Sequence, residues 1–138
     1  MIGALFTAAR LCGAIVATWP EVAPERACVA ALAIEAERGA YQAELIAAIA
    51  YRESRFDPTA VNVRTGCWGV MQVSARGRTL DVYAQVRAGV RKLDEARAYC
   101  ARRGEPPWLC ALAGYASGPA GVRGRWYRGP RRVEREAA

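Results

Sequence analysis

Histidine is absent from the 138 residues. Its absence excludes Ser-His-Asp and Cys-His catalysis, and any zinc site built on imidazole. Lysine is almost absent too, since nineteen of the twenty basic side chains are arginine. Seven prolines against twenty-nine alanines favour helix over strand. The five cysteines (Cys12, Cys28, Cys67, Cys100 and Cys110) are too scattered for a CxxC metal knuckle. Internal repeats and low-complexity tracts are also missing. With 53% apolar and 24% charged residues the composition is that of a globular chain and excludes intrinsic disorder. The length allows one domain able to bury its own core.

Positive charge is what the chain has in excess. Twenty basic against thirteen acidic residues give +7, and six arginines fall between Arg123 and Arg135. Such a surface suits a polyanion: nucleic acid, anionic lipid or an anionic cell-wall polymer. The C-terminal arginines read equally as a solvated tail or as a binding segment. An odd cysteine count leaves at least one thiol unpaired within a monomer. Cys100 and Cys110 flank the Gly104-Glu105-Pro106-Pro107 turn, which fits either a small disulfide loop in an oxidising compartment or two buried thiols.

Met1 to Trp19 is apolar apart from Arg10. A mid-span arginine costs about 2.5–3.5 kcal/mol in a membrane helix, and a basic start for a secretion signal is lacking, although Ile15-Val16-Ala17 is a tolerable cleavage site. Spanning segment, signal and docking helix all remain open. The Pro20 to Pro24 stretch marks a boundary. Pro24 suits the first turn of a helix running to about Arg38, with Gly39 as its stop. A second helix is expected from about Tyr41 to Arg55, ended by Pro58. Residues 59–75 carry Val61, Val63, Val70 and Val73 among Asn62, Gly66 and Gly69, the pattern of short extended pieces joined by turns. Helical period returns from about Asp81 to Cys100, with Val82, Val86, Val90, Leu93 and Ala96 on one face. Pro106-Pro107 opens a short helix from Trp108 to about Tyr115. The fold class expected is mainly α, with one small β excursion. Three segments follow: an apolar leader, anchor or docking segment at 1–23, the main folded domain at 24–121, and a basic tail at 122–138.

Glu53 is the most informative residue. It follows Ile46 by seven positions and Ile49 by four, and Phe56 comes three later, so helical geometry projects a carboxylate from an apolar stripe. It also lies in the last turn, where the helix carbonyls make the local potential negative. Burial and that negative end both favour the protonated form, so a raised pKa is the expectation, and a carboxylic acid kept protonated is what a general acid requires. The competing reading is a glutamate that snorkels to solvent or pairs with Arg52 or Arg55.

Three segments follow one another along the chain: Arg52-Glu53-Ser54-Arg55, then Gly66-Cys67-Trp68-Gly69-Val70-Met71-Gln72, then Gly114-Tyr115-Ala116-Ser117-Gly118. In order and spacing they resemble the Glu-Ser, Gly-Leu-Met-Gln and Ala-Tyr-Asn-x-Gly motifs of the soluble lytic transglycosylase family. The resemblance covers about residues 26–121. Val70 stands where the motif has leucine, and Ala116 where it has asparagine, which removes an amide able to hydrogen-bond.

The resemblance implies a lysozyme-like fold and cleavage of the β-1,4 bond between N-acetylmuramic acid and N-acetylglucosamine in peptidoglycan, closing a 1,6-anhydro ring without water. Glu53 is then the single acid/base. Ser54 would steady its carboxyl group, Met71 and Gln72 would line the groove beside it, and Tyr115 would close the other side. Trp68, beside Gly69, is the tryptophan expected in the groove. Ordinary glycosidases use two carboxyl groups, whereas Asp57 is the only carboxylate between Glu53 and Met71 and reads better as a turn residue. Neither cofactor nor metal is expected.

The partner expected is the peptidoglycan glycan strand, which places the protein in the periplasm or cell wall. It would arrive by export, or within a phage particle or secretion apparatus whose proteins would then be partners, with 1–19 contacting a membrane or docking. A small catalytic domain of this kind fits a local borer of the wall. The rival readings are a hydrolytic muramidase, a non-catalytic wall-binding module, and a basic nucleic-acid-binding module. For the last, recognition-helix and aromatic RNA-binding patterns are missing, so no nucleic-acid partner is expected.

Overall fold

The structure, a computed structural model, describes residues 2–74, 78–105 and 110–115. The chain falls into two units that divide between Val90 and Arg91.

The first unit begins with two helices, α1 (Ile2–Thr18) and α2 (Pro24–Glu37). Ala8, Leu11, Cys12 and Ile15 return every three or four residues, and all four are buried. Helix α1 packs on α2, whose own buried residues are Ala27, Ala30, Ala31, Ala33 and Ile34, mostly small side chains that allow a close approach. A Cys12–Cys28 disulfide ties the pair. Among the described residues no helix is long and apolar enough to cross a membrane. Pro24 at the start of α2 fits the position where its missing N–H is not needed.

Helix α3 (Ala43–Ser54) buries Ala43, Ile46, Ala47, Ile49 and Ala50 and contacts both α1 and α2. It stops at Ser54, one residue short of the sequence expectation and well before Pro58. Arg55 and Phe56 both take left-handed backbone angles, with φ of 53° and 61°. Two such residues in a row are uncommon without glycine. The turn delivers Phe56, 1% exposed, against Trp19 and Tyr51, whose rings stack at 4.2 Å. Burial of Phe56 offsets the backbone strain and ends the helix before proline can.

The β excursion falls within the expected residues 59–75. Strand β1 (Cys67–Trp68) pairs antiparallel with β2 (Val73–Ser74), and Trp68 also bridges to Val61. Residues Gly69 to Gln72 form the connecting turn, closed by the Gln72 N–H donating to the Gly69 carbonyl at 3.2 Å. Helix α4 (Val82–Arg102) then buries Val82, Val86, Val90 and Leu93, as its period predicts, while Ala96 is half-buried. It also buries Gln85. Arg87 reaches the Glu37 carboxylate with two hydrogen bonds of 2.7 and 3.1 Å, fastening α4 to the end of α2.

In the second unit, Gly104 lies in the turn just past the end of α4 and takes φ of 66°. Residues 110–115 are helical. Cys100 and Cys110 form a disulfide, and both are fully buried together with Leu93 and Ala111. Cys67 is the free cysteine. The expected helix start at Pro106 to Trp108, the residues Ala116 to Gly118 and the Arg123 to Arg135 segment lie outside the described residues.

Candidate active site

Glu53 is half-buried in the last turn of α3. Ser54 follows it, and its hydroxyl donates to the Val70 carbonyl at 2.7 Å while accepting the Asp57 N–H at 3.2 Å. The end of α3 is thereby locked to the Gly69–Gln72 turn. The sequence reading gave Ser54 the task of steadying the Glu53 carboxyl. In the structure its hydroxyl bonds go to backbone groups instead.

The turn is held from within as well. Gln72 is 8% exposed and takes φ of 50°, and its Nε2 donates to the carbonyls of Ala60 and Gly69, each at 3.0 Å. Met71 is fully buried. It packs under Gly89 of α4, where a Cβ would come within 2.5 Å of its own Cβ. Any side chain at Gly89 would lift the turn away from the helix. Trp68 is also buried, with the Arg78 guanidinium 5.9 Å from its ring centroid. Tyr115 belongs to the second unit, where it is 3% exposed and the Lys92 ammonium sits 4.3 Å from its ring centroid.

Asp57 is occupied elsewhere. Its Oδ1 accepts the backbone N–H of Thr59 at 2.9 Å and the Thr59 hydroxyl at 2.7 Å, and Arg26 lies at 4.0 Å. The Thr59 hydrogen bonds, with a smaller contribution from Arg26, hold its carboxyl below the usual aspartate value. This is a turn residue that stays ionised. Nearby, the Tyr51 hydroxyl donates to Glu21, which lowers the Glu21 pKa and raises that of Tyr51. A cavity of about 240 Å³ opens between the start of α2 and the exit of α3, lined in part by Arg26, Val29, Phe56, Asp57 and Pro58. Glu53 is not part of its lining. Among the described residues no group of His, Cys, Asp and Glu side chains is arranged to hold a metal ion.

Two features escaped the sequence reading. The Cys12–Cys28 pair lies across the Pro20–Pro24 boundary, but nothing in the spacing of five scattered cysteines singles it out. Gln85 did leave a signal, a polar residue three after Val82 and one before Val86 on the buried stripe of α4.

A mainly helical domain with a short antiparallel hairpin beside the end of a helix, and a glutamate in that last turn, has the architecture of the lysozyme-like glycan-cleaving proteins. The family model of the transglycosylase SLT domain matches residues 31–137, and the chain belongs to that family. The family consists of lytic transglycosylases acting on peptidoglycan, so this chain is such an enzyme and works in the periplasm or cell wall. The match begins inside α2 and runs through the arginine-rich segment. No curated protein and no solved structure matches the chain.

Proposed function

We propose that the chain cleaves the β-1,4 bond between N-acetylmuramic acid and N-acetylglucosamine with Glu53 as its one acid/base. Glu53 protonates the glycosidic oxygen, and the N-acetylglucosamine 4-hydroxyl leaves. The resulting carboxylate takes the proton of the muramic acid 6-hydroxyl while that oxygen attacks C1, and a 1,6-anhydro ring closes. Glu53 ends the cycle protonated, so no water is consumed. The observation that carries this reading is the place of Glu53, half-buried in the last turn of α3, where the next residue locks the helix end to the Gly69–Gln72 turn; the neighbouring Asp57 serves as a turn residue held by Thr59 and Arg26. An internal nucleophile removes the need for the second carboxylate that hydrolases use. Trp68, Met71 and Gln72 support this site as the floor beneath the turn, with Ser54 as its latch.

The test is mass spectrometry of purified peptidoglycan digested by the wild type and by Glu53→Gln. Anhydro-muropeptides from the wild type, with a loss of about 10⁴-fold in Glu53→Gln, are the expected result. Reducing muramic ends would make the enzyme a hydrolase. More than about a tenth of the rate in Glu53→Gln would remove Glu53 from the acid/base role.

For its biological role we infer local opening of the cell wall, with α1 kept in the working protein as a docking helix toward a membrane or a partner complex such as a phage particle or secretion apparatus. Two observations support this. Cys12 of α1 is bonded to Cys28, so cleavage near Ala17 would leave the N-terminal fragment tethered and would break the α1–α2 packing. Leu5 and Phe6 are 62% and 72% exposed, so α1 presents apolar surface outward as well as inward. Both disulfides fit an oxidising space outside the cytoplasm.

A further inference from the structure

The amide of Gln85 joins three backbone segments, all belonging to parts of the chain outside α4. Its Oε1 accepts the Val70 N–H at 2.8 Å. Its Nε2 donates to the Pro58 carbonyl at 3.0 Å and to the Thr79 carbonyl at 2.8 Å. Two carbonyls and one N–H leave a single satisfactory orientation for the amide, with nitrogen toward the carbonyls. Every hydrogen of the amide nitrogen is used, and the group is 6% exposed. An apolar side chain at this position would complete the valine stripe of α4 without any of these bonds.

Gly69 is shaped to this amide. It takes φ of 83°, and a Cβ there would lie 2.8 Å from the Gln85 Cδ and 2.9 Å from its Oε1. The turn therefore rests its bare backbone on the Gln85 side chain. Val70 is held on both sides: its N–H by Gln85 from α4, and its carbonyl by the Ser54 hydroxyl from the last turn of α3. Ser54 is the residue after Glu53. The same amide grips Pro58, at the exit of the helix that carries Glu53.

We propose that Gln85 is a positioning residue for the reaction at Glu53, setting the seat of the Gly69–Gln72 turn against the end of α3. This rests on the reading of Glu53 as the acid/base. Gln85 acts through Val70 and Ser54. Losing its bonds lets the turn and the helix end shift relative to each other, and misplacements of about 1 Å can cost about 10²-fold in rate.

The test uses the full chain and soluble uncrosslinked glycan strands as substrate, with kcat and KM measured per folded molecule. Gln85→Met keeps length and removes all three hydrogen bonds. Gln85→Glu keeps the acceptor for Val70 and, with its buried carboxyl protonated between the two carbonyls, one of the two donations. The expected result for Gln85→Met is a kcat lower by about 10- to 100-fold with KM within about threefold of wild type, the signature of lost reaction geometry rather than lost binding. Gln85→Glu should fall between the two. A looser turn also admits water, so the share of reducing muramic ends among the products should rise in both variants. A folded Gln85→Met with kcat within about twofold of wild type, or a loss confined to KM, overturns the proposal. Should Gln85→Met not fold, Gln85→Glu decides by the same criteria. A wild type that releases only reducing ends would instead sink the anhydro reading, while the kcat ratio still judges Gln85.

Discussion

Asp57 follows Glu53 by four residues, just past the end of α3, and its surroundings settle its charge. Thr59 supplies Asp57 with two donors, so the folded state prefers its ionised form. A carboxyl whose folded pKa lies below its unfolded value near 3.8 adds stability above that value, and the contribution is lost as pH falls through the folded pKa. Asp57→Asn should therefore flatten the acid limb of a stability profile, read as the urea midpoint between neutral pH and about pH 3. An unchanged acid limb would show that the Thr59 contacts do not favour the carboxylate. The same substitution should leave cleavage nearly intact, since Asp57 takes no part in the chemistry proposed. Ser54→Ala removes the donor to the Val70 carbonyl and should cost about 1–3 kcal/mol in chemical denaturation, the range for leaving a buried carbonyl unpaired. A loss below about 0.5 kcal/mol would show that the Ser54 latch carries little of the turn's stability.

The elements differ in how plainly the sequence announces them. Helices α2, α3 and α4 follow from apolar spacing and from Pro24, and the hairpin follows from valines set among glycines. The place of Glu53, half-buried in the last turn of α3, was legible for the same reason, as a charge on an apolar stripe. The end of α3 was read one residue long because a proline stop can be seen in sequence, whereas the left-handed Arg55 and Phe56 depend on the Trp19–Tyr51 cluster that receives Phe56. Helix α1 was harder, because both of its faces are apolar. Leu11 and Ile15 go in while Leu5 and Phe6 stay out, and only tertiary contact separates them. The roles of Met71 and Gln72 came from motif resemblance, which names residues without saying which way they face. A testable consequence concerns α1. The Cys12–Cys28 bond closes a loop of 16 residues, and on the chain-entropy model a loop of that size contributes about 3 kcal/mol. Cys28→Ser should lower the midpoint of chemical denaturation accordingly, and N-terminal sequencing of the mature protein should find Met1 or a residue before Cys12. A mature end near Thr18 would make α1 a removed signal and defeat the docking reading.

At the scale of the whole molecule, charge and catalysis should prove separable. The chain carries +7, and its six C-terminal arginines form the most basic stretch, whereas the groups assigned to the reaction are one glutamate and a set of backbone-locking side chains. Peptidoglycan presents carboxylates on its peptides, so the positive charge of the chain should draw the enzyme onto the wall before any glycosidic bond is engaged. Attraction of this kind between exposed charges acts over a Debye length, which shrinks from about 10 Å at 0.1 M salt to about 3 Å at 1 M. The Glu53→Gln protein, unable to cut, should therefore cosediment with purified sacculi at low ionic strength and be released as salt is raised. Replacing the six arginines between Arg123 and Arg135 by glutamine should weaken binding at low salt and shallow its salt dependence, yet leave kcat on soluble glycan strands within about twofold of wild type, since screened charges change encounter more than chemistry. Salt-independent cosedimentation would show that the wall is held by groove contacts alone, and a collapse of kcat in the arginine-depleted protein would place that segment in the catalytic structure.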